Sequence, residues 1–263
     1  MKTKLPSFDG KFYPKDTIEL ESKLKKLFKE TPHKYTSTTR AVIVPHSGYT
    51  YSGHVCANTY QYINKKLDNI FIFAPAHYID FKGIALSSSD SFSTPLGKIF
   101  INKEINSVIE KIFNLKIFDA AFEKEHALEV QLPFIQTLLP NAKIIPIVYN
   151  NCLPGKLQEI IQTFWLNKEY GTSGFVISSD LSHFYPRNEA EKIDEYTARM
   201  IESKNTKNFH PAQACGSKGI IALTDFAKEH KFSLIRVQLT NSAERTKDDA
   251  SVIGYGGWFL EEE

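Results

Sequence analysis

The stretch Arg40-Ala41-Val42-Ile43-Val44-Pro45-His46 carries four consecutive small or β-branched apolar residues, then a proline, then a histidine. A run with no polar alternation has no solvent face. It therefore predicts a strand covered on both sides, the kind found in parallel sheets of α/β proteins. The same reading fits Asn69-Ile70-Phe71-Ile72-Phe73-Ala74, then 143–149 (KIIPIVY) and 175–178 (FVIS). Between these runs the apolar residues recur at helical spacing. Ile18, Leu20, Leu24, Leu27 and Phe28 mark a helix over 16–29, with Asp16 or Thr17 as its cap. Further helices are predicted over 53–66, 103–113, 125–139, 155–166, 189–203 and 218–230, and Pro133 should kink or split the third of these. Strand-like pieces at 83–87 and 98–101 flank a turn-prone 88–95, and 233–239 with 252–260 suit an antiparallel pair. Alternating strands and helices predict an α/β fold: a single-domain sandwich over 1–263, with helices on both faces of a mixed, largely parallel central sheet.

The 263 residues suffice to bury a large core without a disulfide or metal staple. Basic and acidic residues nearly cancel (32 against 30), and no basic block stands out, so no nucleic-acid-binding surface is expected. No run reaches the length of a membrane span, and the opening segment lacks a signal-peptide core. With three scattered cysteines and no CxxC pair, the chemistry points to a reducing cytoplasm and away from a zinc ribbon or dithiol motif.

Three of the buried runs lead into histidines: His46 after VIVP, His77 after IFIFAPA and His183 after FVISSDLS. In an open parallel sheet the loops leaving the carboxyl ends converge on one edge, where ligands bind. Three imidazoles far apart in sequence are thereby expected to meet. The bland alternative for each is a hydrogen-bonded loop histidine. Pro45 and Gly48 bracket His46, Pro75 precedes His77, and Asp180 stands where its carboxylate could orient His183. Cys215 lies just before an apolar helix, whose positive end favours a thiolate; a small buried filler is the alternative. Cys56 and Cys152 read as inert. In Glu123-Lys124-Glu125-His126-Ala127-Leu128-Glu129, His126 and Glu129 share a helix face, although spacing alone favours a solvated helix start.

Pro45-His46-Ser47-Gly48-Tyr49, Ala74-Pro75-Ala76-His77, the segment Glu125-His126-Ala127-Leu128-Glu129-Val130-Gln131-Leu132-Pro133-Phe134, Ser178-Ser179-Asp180-Leu181-Ser182-His183 and Cys215-Gly216 together resemble the Memo family, also called AmmeMemoRadiSam system protein B. Gly10-Lys11-Phe12-Tyr13-Pro14, Asn241-Ser242 and Ser251-Val252-Ile253-Gly254-Tyr255 extend the likeness over nearly the whole chain. The resemblance implies a fold similar to class III extradiol dioxygenases. It also implies a pocket holding iron or copper through His46, His77 and Cys215, with Asp180, His183 and His126 as its acid–base residues. An AMMECR-type protein and a radical SAM protein are the implied partners. Ser7-Phe8 stand where some members carry a histidine, and the site is not expected to need it.

Three functions fit these residues. The first is a metal-binding, redox-associated protein with a dioxygenase-like pocket. In it His183 takes a proton, Asp180 orients it, and an oxidisable thiolate ligand argues against ring cleavage. The second is a binding module taking a peptide, a small molecule or a partner protein, its groove lined by Tyr49, Tyr51, Tyr78 and Phe184. The third is a zinc hydrolase with His183 or Glu125 as base.

Overall fold

The computed structural model of the protein describes residues 1–32 and 34–262. Its strands in chain order are β1 (Thr3–Lys4), β2 (Ala41–Val44), β3 (Asn69–Pro75), β4 (Gly83–Leu86), β5 (Ser91–Thr94) and β6 (Gly97–Phe100). They continue with β7 (Lys116–Ile117), β8 (Lys143–Asn150), β9 (Ser173–Ser178), β10 (His183–Tyr185), β11 (Ser233–Asn241) and β12 (Val252–Glu261). The main sheet runs β10-β12-β2-β9-β3-β8-β4-β7, and β11 pairs with β12. Its centre, β2-β9-β3-β8, is parallel throughout. Antiparallel pairing appears only toward the two sides, where β12 joins β2 and β4 joins β8. This is the mixed, largely parallel sheet that the sequence predicts.

The four central strands have the sequences expected of double-sided burial, and each sends alternate residues into two separate cores. Val42, Val44, Ile70, Ile72, Ile144 and Val176 face one layer, which the helices Thr17–Lys29 and Gly53–Tyr60 cover. Ala41, Ile43, Phe71, Phe73, Ile145 and Ile177 face the other, beneath the helices Pro154–Leu166, Arg187–Glu202 and Ser217–Glu229. Each large apolar side chain so buried contributes about 1.5–3 kcal/mol, which fixes the sheet and hence the positions of its strand ends.

Several local expectations are corrected. Ile18 falls on the helical spacing but is 76% exposed; Leu20, Leu24 and Leu27 form the buried stripe, with partly buried Phe28 packed against the same core. The helix at 53 stops at Tyr60 rather than continuing to 66. The turn-prone 88–95 contains β5, which joins β1 and β6 in a small second sheet. The 125–139 stretch does split, into His126–Glu129 and Leu132–Leu138, and Pro133 sits in the first turn of the second piece, where its missing N–H costs nothing. β10 escaped the sequence reading because three residues show no periodicity.

Candidate metal centre

β2, β9 and β3 are neighbours and run the same way, so the loops after Val44, Ser178 and Pro75 leave from adjacent points on one sheet edge. That places His46, Asp180 and His77 side by side. Cys215 lies immediately before the helix Ser217–Glu229, and its loop is pressed onto the end of β9. A Cβ on Gly216 would lie 2.6 Å from both the Ser178 carbonyl oxygen and the Ser179 Cβ, so only glycine permits this approach. The Gly216 N–H donates to Ser179 Oγ at 2.8 Å, locking the contact. As a result one ligand-type atom from each of His46, His77 and Cys215 lies within 4.8 Å of the others. The Cys215 sulfur is 3.2 Å from His46 Nε2.

Hydrogen bonds settle which nitrogen of each ring faces this point. Gln131 Nε2 donates to the Pro45 carbonyl and to Ser178 Oγ, each at 2.9 Å, while its Oε1 accepts from the Tyr60 hydroxyl at 3.0 Å. Ser178 Oγ spends its one proton on the Ala127 carbonyl at 2.6 Å. It can therefore only accept from His46 Nδ1, 3.0 Å away, and that nitrogen carries the ring proton. Nε2, with its lone pair, is left facing Cys215. His77 follows the same logic with a carboxylate: Nδ1 donates to Glu125 Oε1 at 2.9 Å and the backbone N–H donates to Oε2 at 2.6 Å. Metal-binding histidines are typically oriented in this way through their second nitrogen.

Electrostatics favour uncharged rings. Burial, with help from His77 and His183, lowers the His46 pKa well below the ordinary imidazole value. Burial, together with His46 and His77, brings His126 down to about 3. The Cys215 thiol departs from the thiolate expected of a helix start. Burial and the nearby Asp180 charge raise its pKa well above the ordinary value, and they outweigh the hydrogen bonds at the sulfur. Two imidazoles, each held through its Nδ1, and a thiol that a cation would deprotonate make a donor set suited to iron, copper or zinc.

The remaining residues correct the sequence reading in part. Asp180 does not orient His183: its Oδ1 accepts the His46 N–H at 2.8 Å and its Oδ2 the Ser47 hydroxyl at 2.6 Å, so it holds the His46 loop. His183 is oriented by its own backbone, Nδ1 donating to the Leu181 carbonyl at 2.8 Å. Phe184 beside it is 73% exposed and has a φ of 64°, a left-handed conformation costing an aromatic residue about 1–2 kcal/mol. Glu129 is not part of a solvated helix start. It is buried and receives the Ser7 and Phe8 N–H groups, the Tyr13 hydroxyl and the Lys4 ammonium. Glu125 is also buried, and its oxygens are committed to His77 and to the Ala127 N–H, which leaves it poorly placed as a hydrolytic base. Tyr49 lies in the core with its hydroxyl on the Val130 carbonyl, whereas Tyr51 and Tyr78 are exposed, Tyr51 in a groove with Phe184 and Tyr78 against Phe8 and His126. Cys56 is the inert filler expected, its thiol donating to the Pro45 carbonyl. Ser178 and Gln131 stand in the quoted motifs without an assigned role, and Tyr60 in none; a lone serine ending a strand carries no signal until its partners are known.

A model of the family described as "Memo-like protein" matches residues 4–259. A "MEMO1 family protein" of Aquifex aeolicus is 32% identical over 98% of each chain, and one of Metallosphaera sedula is 30% identical over 95% of this chain and 96% of its own. "Protein memo-1 homolog" of Caenorhabditis elegans is 28% identical over 78% of this chain and 59% of its own. With the family's pattern spanning almost every residue, and its histidine and cysteine segments gathered at one sheet edge, the chain belongs to the Memo family.

Proposed function

We propose that the protein binds one iron or copper ion through His46 Nε2, His77 and Cys215 and serves a redox role. The observation carrying this reading is that two buried hydrogen-bond systems orient both imidazoles so that an unprotonated nitrogen is free where the cysteine sulfur lies. A bound ion would supply one-electron chemistry and open coordination positions. The chain's own part is to hold the ligands, with His183 Nε2 left free to accept a proton and His126 held neutral by burial. The family likeness adds an AMMECR-type protein and a radical SAM protein as proposed partners, and the cysteine usage makes the cytoplasm the proposed compartment; among the described residues, no helix is long and apolar enough to cross a membrane.

Purification without oxygen followed by elemental analysis tests the reading. Wild type should carry close to one equivalent of iron or copper, and Cys215→Ser at least about tenfold less. Equal metal in the wild type and in a folded His46→Ala, His77→Ala, Cys215→Ser triple variant would refute it.

A cavity of ≈ 370 Å³ supports a second reading. Ser47, Phe12, Tyr51, Phe184 and Tyr255 line it beside the His46 loop, and its size suits a small molecule or a peptide side chain. A ligand whose affinity there is unchanged by chelators would favour a binding module over redox chemistry.

A further inference from the structure

One buried atom beside the site has no explanation in the ligand set above. His126 Nδ1 is shielded from solvent and has no hydrogen-bond partner. The ring is packed between aromatic side chains, with centroids 4.7 Å from Phe12, 5.6 Å from Phe8 and 5.7 Å from Tyr78, so no donor or acceptor can reach it from that side. An orphaned buried imidazole nitrogen is uncommon and calls for a partner. The nearest candidate is Glu125 Oε1, 3.4 Å away, with which it makes no hydrogen bond. That same oxygen is 2.9 Å from His77 Nδ1. Atoms from His77, Glu125 and His126 thus form a second group lying within 4.8 Å of one another.

We propose that His77, Glu125 and His126 form a second cation site, coupled to the first through the His77 ring. Ligand atoms on a tetrahedral ion with bonds of about 2.0–2.1 Å stand about 3.4 Å apart, which is the separation already present between His126 Nδ1 and Glu125 Oε1. The His77–Glu125 pair needs to open by a few tenths of an ångström. The ion would replace the proton shared between His77 Nδ1 and Glu125; that proton is released, and the ring bridges two ions as imidazolate. Glu125 Oε1 can keep the Ala127 N–H, since a carboxylate oxygen has two lone pairs. Two imidazoles and one carboxylate select a zinc- or cobalt-class divalent ion over magnesium or calcium, which prefer all-oxygen sites. Sharing His77 makes this inference rest on the first site's geometry, while Glu125 and His126 belong to the second alone.

Cobalt(II) titration under argon separates the two sites, because only the first offers sulfur and hence a thiolate-to-cobalt charge-transfer band. Wild type should take up a first equivalent with that band, then a second adding only ligand-field absorption. His126→Ala should stop after the first equivalent with the band intact. His126→Gln, which keeps the bulk of the aromatic wall, should do the same. Cys215→Ser should lose the band yet still bind the equivalent that depends on His126. Saturation of wild type at a single equivalent that carries the charge-transfer band, or a second equivalent that survives both His126 variants, would overturn the second site. Uptake that depends on His126, with no charge-transfer band in wild type, would instead sink the first site and leave this one standing.

Discussion

At the residue scale the site is governed by protons. The His46 tautomer depends on Ser178, whose hydroxyl is committed elsewhere and can only accept. Ser178→Ala should therefore lower metal affinity by about 10–100-fold, the usual penalty for losing an orienting partner, as read by competition with a chelator. It should also cost about 1–3 kcal/mol of stability in denaturant melts, because buried groups lose a partner. Binding should follow the thiol. The Cys215 pKa lies above its ordinary value, so near neutrality each ion captured displaces a proton. Affinity should then rise about tenfold per pH unit, and calorimetry in buffers of different ionisation heat should show about one proton released. Release of none would place the thiol outside the coordination. His126 supplies a stability test. Its pKa falls from 6.5 to about 3 on folding, so below pH 6.5 the unfolded chain takes up a proton that the folded one refuses. The stability associated with the neutral ring is complete above pH 6.5 and lost as pH drops toward 3. Replacing it by His126→Phe should shrink the difference in unfolding free energy between pH 7 and pH 4.5 by roughly 2 kcal/mol.

At the scale of elements, the decisive contact is the Cys215 loop against the end of β9. Gly216→Ala should push that loop outward, since the new methyl has no room beside Ser178 and Ser179. The expected result is a loss of about 1–3 kcal/mol in stability and a drop in metal content larger than that of a control such as Gly155→Ala, where a Cβ meets nothing within 4 Å. Metal content equal in the two variants would mean that the close approach does not set the sulfur's position. The same scale shows why some features were legible in sequence and others not. The runs at 40–45, 69–74, 143–149 and 175–178 are legible because double-sided burial removes polar residues. Their expected shared direction gathers His46, His77 and His183 at one edge; the parallel pairing of β2, β9 and β3 adds Asp180 to that place. β10 and β5 were invisible because each is held by what it pairs with rather than by its own pattern. The role of Asp180 was misread for a related reason. Its spacing to His183 suggested a partner three residues away, but the chain turns and delivers the carboxylate to His46 and Ser47, far off in sequence.

At the scale of the whole molecule, the amino-terminal segment is a strap closing one side of the site. Residues 3–4 add a strand to the small sheet, and the segment then crosses to the His46 loop, where the Tyr49 N–H donates to the Phe12 carbonyl at 2.8 Å. In passing it sets Phe8 and Phe12 against His126. Nothing in the hydrophobic pattern of residues 1–14 foretold this, because the strap is held chiefly by one carboxylate. Glu129 is 1% exposed and receives N–H groups from Ser7 and Phe8, the Tyr13 hydroxyl at 2.8 Å and the Lys4 ammonium at 2.9 Å. Removing one member of such a buried pair strands the others without partners, at a cost of about 3–5 kcal/mol. Glu129→Ala should therefore melt earlier than wild type, and Glu129→Gln, which keeps an acceptor oxygen, should lie between them. Hydrogen exchange gives the sharper reading. Amides of residues 7, 8 and 49 should lose protection in Glu129→Ala while those of β3 and β9, in the core of the sheet, keep theirs. If the strap opens alone, His126 gains solvent and its pKa climbs back toward 6.5, a change that NMR titration of the ring would register directly. Loss of protection spread evenly over sheet and strap would show instead that Glu129 supports the fold as a whole, and that the wall beside His126 is not a separable element.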